Sequence, residues 1–126
     1  MKRLLFALLI SICLCNCSED DSNQFEEQTT IVQTAVIPTN ASANIEFEIE
    51  FEIKIPDGCW TFSRIEKNES ENEILITVYI KNENLNDFCL TAFFTKNITE
   101  RIIIGSIGDK VIKFNDSEIE YNIQVE

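Results

Sequence analysis

One segment of the chain alternates strictly between apolar and charged side chains, and it constrains the fold more than any other feature. From Asn44 to Ile55 (NIEFEIEFEIKI), Ile or Phe occupies every second position, and Glu or Lys occupies the positions between them. Successive side chains of a β-strand point to opposite faces, so this segment has one apolar face and one charged face. A helical period would scatter the apolar residues around the axis, and a strand buried on both faces would not carry so many carboxylates. We therefore expect a half-buried strand of an antiparallel sheet, whose inward-facing residues are Ile45, Phe47, Ile49, Phe51, Ile53 and Ile55.

The same period of two recurs along most of the chain that follows residue 28. Clusters of Pro, Asn, Asp and Gly separate the apolar runs, as turn residues do between strands. The further predicted strands are Thr30–Ile37, Cys59–Ile65, Ile74–Lys81, Phe88–Thr95, Arg101–Ile104, Lys110–Asn115 and Glu118–Val125. The last two form a closing hairpin in which Ile119, Tyr121, Ile123 and Val125 face inward. Strands at this spacing are typical of an all-β fold, an immunoglobulin-like antiparallel sandwich of about 7 to 8 strands.

The N-terminus has the pattern of an export signal. Lys2 and Arg3 are basic, and Leu4 to Leu14 is apolar apart from one serine. A helix needs about 20 apolar residues to cross a bilayer, whereas about 7 to 15 are enough for the core of a signal peptide. The sequence therefore predicts a signal peptide over residues 1–16.

The end of this apolar run carries a lipidation motif. Leu14-Cys15-Asn16-Cys17 resembles the lipobox of bacterial lipoproteins, in which a Leu precedes the acceptor Cys by three residues. The resemblance implies that Cys17 receives a diacylglycerol and becomes the first residue after cleavage. Two acyl chains would make the membrane anchor effectively permanent. The alternative is an ordinary secretory signal with incidental cysteines.

A short acidic motif follows the acceptor cysteine. It resembles the export signal of surface-exposed lipoproteins in Bacteroidota, and its residues are Ser18, Glu19, Asp20 and Asp21. The resemblance implies a protein held by lipid at the cell outer membrane and facing the medium. An acidic tether without a sorting role is the alternative. Residues 17–28 are predicted to be this lipidated tether, because they offer little apolar surface to offset the entropy of ordering, and residues 29–126 are predicted to be the domain.

Two cysteines remain after the signal and the lipid acceptor are set aside. Cys59 and Cys89 both fall in predicted strands, and an exported protein meets an oxidising environment, so a disulfide is expected. Two buried thiols are the alternative. The segment from Gly58 to Phe62 (GCWTF), followed by Cys89, also resembles a motif of small Bacteroidota envelope lipoproteins, whose β-sandwich has no assigned activity.

Composition excludes several classes of function. The chain has 22 Asp+Glu against 10 Lys+Arg and no His, and its net charge of -12 disfavours binding to nucleic acid. Without His, the commonest general base and metal ligand are missing, so we expect no enzyme, no cofactor and no metal site. A hydrolase that uses two carboxylates is the least favoured alternative. We expect instead a monomeric binding or envelope-assembly module with a protein or glycan ligand.

Three surface features are candidates for contacts. The Glu row, consisting of Glu46, Glu48, Glu50 and Glu52, is most simply the solvated side of a strand, relieved by Lys or Arg on a neighbour. The turns at residues 82–87 and 115–118 are rich in oxygen ligands that could hold calcium, and the first could be the loop of a protease inhibitor. The aromatic residues near the cysteines are expected in the core, with Phe93 or Phe94 as the best candidate for a surface contact.

Overall fold

Nine strands make up the regular structure of the described residues. The structure is a computed structural model and describes residues 25–83 and 88–126. Its strands are β1 (Glu26–Thr29), β2 (Val32–Val36), β3 (Asn40–Ala41), β4 (Phe47–Ile55), β5 (Trp60–Glu69), β6 (Glu73–Asn82), β7 (Phe94–Ile102), β8 (Gly108–Phe114) and β9 (Glu120–Val125). They form a six-stranded sheet and a three-stranded sheet. The predicted all-β sandwich is confirmed, with nine described strands in place of the expected number of about 7 to 8 and with two parallel pairs among the antiparallel ones.

The large sheet is organised around β6. One edge of β6 pairs with β5 along almost its whole length, so the other edge must serve both β1 and β8. The start of β6 pairs in parallel with β8, and its end pairs antiparallel with β1, where Glu26 lies opposite Asn82. The predicted closing hairpin is confirmed as the antiparallel pair β8 and β9, and the short β3 runs parallel to β9.

The small sheet has the order β2-β4-β7, so the alternating strand β4 lies in its middle. Ile49, Phe51, Ile53 and Ile55 of β4 are buried, as predicted. Ile45 is exposed, because it precedes the strand, which begins at Phe47. The core between the sheets is made mainly of Ile, with an aromatic row in which the ring centroid of Phe51 lies 6.3 Å from that of Phe62 and 5.7 Å from that of Phe114.

The chain passes from the large sheet to the small one at Thr30. The amide of Thr30 donates to the carbonyl of Val78 in β6, and its hydroxyl donates to the carbonyl of Lys54 in β4. Asn115 fills the interval on the edge of β6 between β8 and β1. Its side-chain Oδ1 accepts from the amide of Val78 at 2.9 Å, and its Nδ2 donates to the carbonyl of Thr30 at 3.2 Å. A turn residue therefore joins three segments of the sandwich.

Two strand predictions were wrong. Residues 88–93 lie outside any strand, and a single strand, Phe94–Ile102, replaces the two predicted at Phe88–Thr95 and Arg101–Ile104. The polar residues between them are tolerated because β7 is an edge strand that pairs throughout with β4. Ile119 was expected to face inward, but it is exposed and precedes β9.

The sheet also begins earlier than the predicted boundary at residue 29. Glu26 to Gln28 belong to β1, where backbone pairing with β6 orders them. Glu27 adds an ion pair, because its carboxylate lies 2.8 Å from the guanidinium of Arg64. That arginine also lies over the ring of Tyr79, with 4.0 Å from Cζ to the ring centroid. Long-range pairing therefore outweighs the polar composition that predicted a tether over this stretch.

Candidate functional site

The predicted lipidation site and export signal lie outside the described residues. This applies to Cys17 and to the acidic motif at Ser18, Glu19, Asp20 and Asp21. The segment 82–87, considered for calcium and for protease inhibition, is described only at Asn82 and Glu83. Among residues 25–83 and 88–126, no helix is long and apolar enough to cross a bilayer.

Cys59 and Cys89 form a disulfide, with their Cα atoms 5.4 Å apart. Neither lies in a strand, contrary to prediction, because the bond joins the turn before β5 to the segment before β7. Asp57 fixes the turn, since its Oδ1 accepts from the amide of Cys59 at 2.9 Å. The carboxylate of Asp57 lies within 4.8 Å of both sulfurs. Disulfide sulfurs are not thiolates, so this group does not supply a metal with a set of ligands.

The disulfide holds an apolar segment at the surface. Phe88, Leu90 and Phe93 are 94%, 74% and 73% exposed, and Phe94 is also exposed. The expectation that Phe88 belongs to the core was wrong, and both Phe93 and Phe94 are exposed where one of them was expected to be, whereas Trp60 and Phe62 do pack against the core. Phe25, which precedes β1, is exposed as well. We call these five exposed residues, Phe25, Phe88, Leu90, Phe93 and Phe94, the apolar end.

The strand register places these residues at one end of the sandwich. β1 begins there, because Glu26 pairs with Asn82 at the end of β6. β4 ends there and β7 begins there, because Ile55 pairs with Phe94. The short turn from Ile55 to Trp60 brings the start of β5 to the same place. The backbone amide of Gly58 donates to the carbonyl of Leu90 at 3.1 Å, which adds a second tie to the disulfide.

A groove lined mostly by polar residues lies at the opposite end of the sandwich, and we call it the polar groove. It encloses about 600 Å³. Its lining consists of Thr39, Asn40, Asn72, Asp109, Lys110, Val111, Asn122, Ile123 and Gln124. These residues come from the chain around β3, the approach to β6, the start of β8 and the end of β9. Since β6 has 10 residues, at about 3.3 Å per residue the groove lies about 30 Å from the apolar end.

One buried cation contributes to the groove. Lys110 is 2% exposed, and its Nζ donates to the carbonyl of Glu71 at 2.7 Å. Its stem continues the inward row of Ile112 and Phe114 on β8. Sequence reasoning missed this residue, although its position in the alternation with those two residues was a usable signal. Among the described residues that line the groove, Asp109 is the single carboxylate.

Near the groove end, Gly105 and Ser106 surround the carboxylate of Glu69 with hydrogen-bond donors, and we call this arrangement the carboxylate nest. Glu69 accepts hydrogen bonds from the amides of Gly105 and Ser106 and from the Ser106 hydroxyl, the last at 2.9 Å. Lys67 lies 3.3 Å from the same carboxylate. Burial alone would raise the pKa of Glu69, but the hydrogen bonds from Ser106 and Gly105 and the charge of Lys67 outweigh it and lower the pKa below 4.5.

The Glu row is solvated, as expected. Arg101 on β7 pairs with Glu48 across the sheet, with 3.6 Å between Nε and Oε2. Glu50 lies opposite Val36 on β2 and Thr99 on β7, and Glu52 lies opposite a threonine and an asparagine on the same two strands. Because β4 is a central strand, the row does not protect a sheet edge. The predicted turn at 115–118 also has a structural explanation, since Asn115 uses its side chain to join β6 to the chain at Thr30.

The fold and these surfaces define a small disulfide-bonded β-sandwich with a polar groove at one end and exposed aromatic residues at the other. No protein-family model, curated protein or solved structure matches the chain. What the protein does must therefore be argued from its own residues.

Proposed function

We propose that this protein is a non-catalytic, glycan-binding module of the bacterial cell surface. In this proposal Cys17 carries the lipid that holds it to the outer membrane, and the polar groove binds the ligand. The observation that carries the proposal is the position of the groove, about 30 Å along β6 from the end at which the chain enters β1. A ligand in the medium would reach a groove that faces away from the anchor.

The chemistry of the lining supports a ligand rich in hydroxyl groups. Four amide side chains line the groove, namely Asn40, Asn72, Asn122 and Gln124. Each amide offers both donors and an acceptor, which suits the alternating donors and acceptors of a sugar. A hydrolase that uses two carboxylates would need a second acid in the groove beside Asp109. Among the described residues of the lining, Asp109 has no such partner. Binding is therefore favoured over catalysis.

Glycan binding can be measured on a variant that cannot carry the lipid. The exported chain with Cys17→Ser is screened on a glycan array, and any ligand is titrated by calorimetry. Asn72→Ala combined with Asn122→Ala should weaken binding about tenfold or more, because buried polar contacts to the sugar are lost. The matched control is Asn97→Ala, an exposed asparagine on β7 outside the groove. A ligand that binds the double variant and the parent equally would refute the groove assignment.

The anchor is tested separately in cells. Cys17→Ala should release the protein from the membrane fraction, and a membrane-impermeant label should reach the parent protein on intact cells. Retention of the Cys17→Ala protein in membranes, or labelling only after lysis, would contradict this part of the proposal.

A further inference from the structure

We propose that the apolar end is a membrane-contact surface that sits on the lipid bilayer. This inference rests on the lipid anchor of the proposed function for its choice of occupant. It adds that the domain itself touches the lipid, rather than being held off it by a tether.

The first argument is that a disulfide and a backbone hydrogen bond keep these side chains exposed. Phe88, at 94% exposed, and Leu90, at 74% exposed, flank Cys89, whose bond to Cys59 holds them at the edge of the sandwich. The Gly58 amide fixes the carbonyl of Leu90 from the other side. A segment tied in two places cannot easily fold its aromatic side chains back onto the core. Exposed apolar clusters held in this way mark contact sites on soluble domains.

The second argument is the path of the chain. Phe25 belongs to the apolar end and leads directly into β1. From Cys17 to Phe25 the chain spans at most about 28 Å at about 3.5 Å per residue. A lipid on Cys17 therefore keeps this end close to the bilayer, whereas the groove end lies a further 30 Å or so along β6. Of these two ends of the described domain, the apolar end is therefore the one that a lipid on Cys17 brings to the bilayer.

The third argument is the charge beside the rings. The Nζ of Lys54 lies 4.7 Å from the centroid of the Phe93 ring. Lys96 is exposed on the neighbouring strand β7, close to the start of that strand. Aromatic rings beside lysines are suited to the bilayer interface, because the rings enter the acyl boundary while the ammonium groups reach phosphate. Carboxylates lie at the same end, among them Glu26 and Asp57, so the proposed contact is with zwitterionic lipid rather than with an anionic surface.

A built-in probe reports on this contact. Trp60 is the single tryptophan of the chain, and it begins β5 beside the disulfide. The lipidated protein is purified from cells and reconstituted into phosphatidylcholine vesicles, with and without bromine on the acyl chains. Brominated lipid should lower Trp60 emission about twofold if the apolar end enters the acyl boundary. Phe88→Ser combined with Phe93→Ser should abolish most of this quenching, whereas Ile107→Ser, an exposed change at the groove end, should leave it intact.

The outcomes separate the two proposals. The same measurement is made with the Cys17→Ser chain added to preformed vesicles, where no anchor is needed. Quenching that disappears in the Phe88→Ser, Phe93→Ser variant supports membrane contact, even if mass spectrometry finds no lipid on Cys17. Absence of quenching in both formats, or equal quenching in parent and double variant, overturns it. Dimerisation that the double variant removes, without quenching in the parent, would assign the surface to a second copy instead. Circular dichroism confirms that each variant is folded.

Discussion

Replacing Asn115 by Ala should destabilise the sandwich far more than its place in a turn suggests. The change removes the acceptor of the Val78 amide and the donor to the Thr30 carbonyl. Both residues are buried, so water does not readily replace the lost partners. An unpaired buried group costs about 1 to 3 kcal/mol, and two of them predict a loss of about 2 to 6 kcal/mol in the free energy of unfolding. That is a large share of the roughly 5 to 15 kcal/mol typical of a domain.

Urea denaturation of the Cys17→Ser chain, followed by Trp60 fluorescence, measures this loss. The control is Asn97→Ala on the exposed face of β7, which should change stability by less than about 0.5 kcal/mol. A third variant, Asn115→Asp, keeps the acceptor for Val78 but turns a carboxylate towards the Thr30 carbonyl, so it should be intermediate at pH 7. If Asn115→Ala and Asn97→Ala are equally stable, Asn115 acts only as a turn residue and the proposed link between the segments is wrong.

Three further predictions concern the disulfide, the carboxylate nest and the buried lysine. Loss of the disulfide through Cys59→Ala with Cys89→Ala should cost about 3 to 4 kcal/mol, because the bond closes a loop with a sequence separation of 30; equal urea midpoints for the oxidised and cysteine-free proteins would contradict this. Glu69→Gln should cost about 1 to 2 kcal/mol at pH 7. Since folding lowers the pKa of Glu69, the carboxylate stabilises the fold fully above pH 4.5, and this stabilisation is lost as the pH falls through the lower pKa of the folded state. The difference in the free energy of unfolding between the parent and Glu69→Gln should therefore shrink towards pH 3. A difference independent of pH would exclude the charged nest. Lys110→Met should change stability by less than about 1.5 kcal/mol, because the apolar stem is kept and a buried charge is removed, whereas Lys110→Ala should cost about 2 to 4 kcal/mol. Thermal unfolding compares the two variants. Equal losses would mean that the ammonium group, rather than the stem, stabilises the fold.

The candidate surfaces show where reasoning from the sequence reaches its limit. Alternation predicted which residues of β4 are buried, since side-chain direction along a strand is a local property. It did not predict that residues 88–93 leave the sheet, because the disulfide and the pairing of β7 with β4 are set by distant partners. The groove was equally hidden, since its lining comes from four separate parts of the chain. Lys110 was the exception, because its inward position could be read from Ile112 and Phe114.

The sequence by itself determined the all-β class, the buried face of β4 and the closing hairpin, and it favoured a disulfide between Cys59 and Cys89. These follow from local periodicity and from the number of cysteines left after the lipobox-like motif, and neither needs to know how strands are arranged. The tertiary structure alone decided that β1 and β8 share one edge of β6, and that Asn115 and Thr30 join the sheets there. It also decided that Phe88 and Phe93, on the Cys89 side of the disulfide, are exposed at the end where the chain enters the domain. The physical reason is the same in each case: exposure and contact depend on which segments meet across the sandwich, and that is set by long-range pairing.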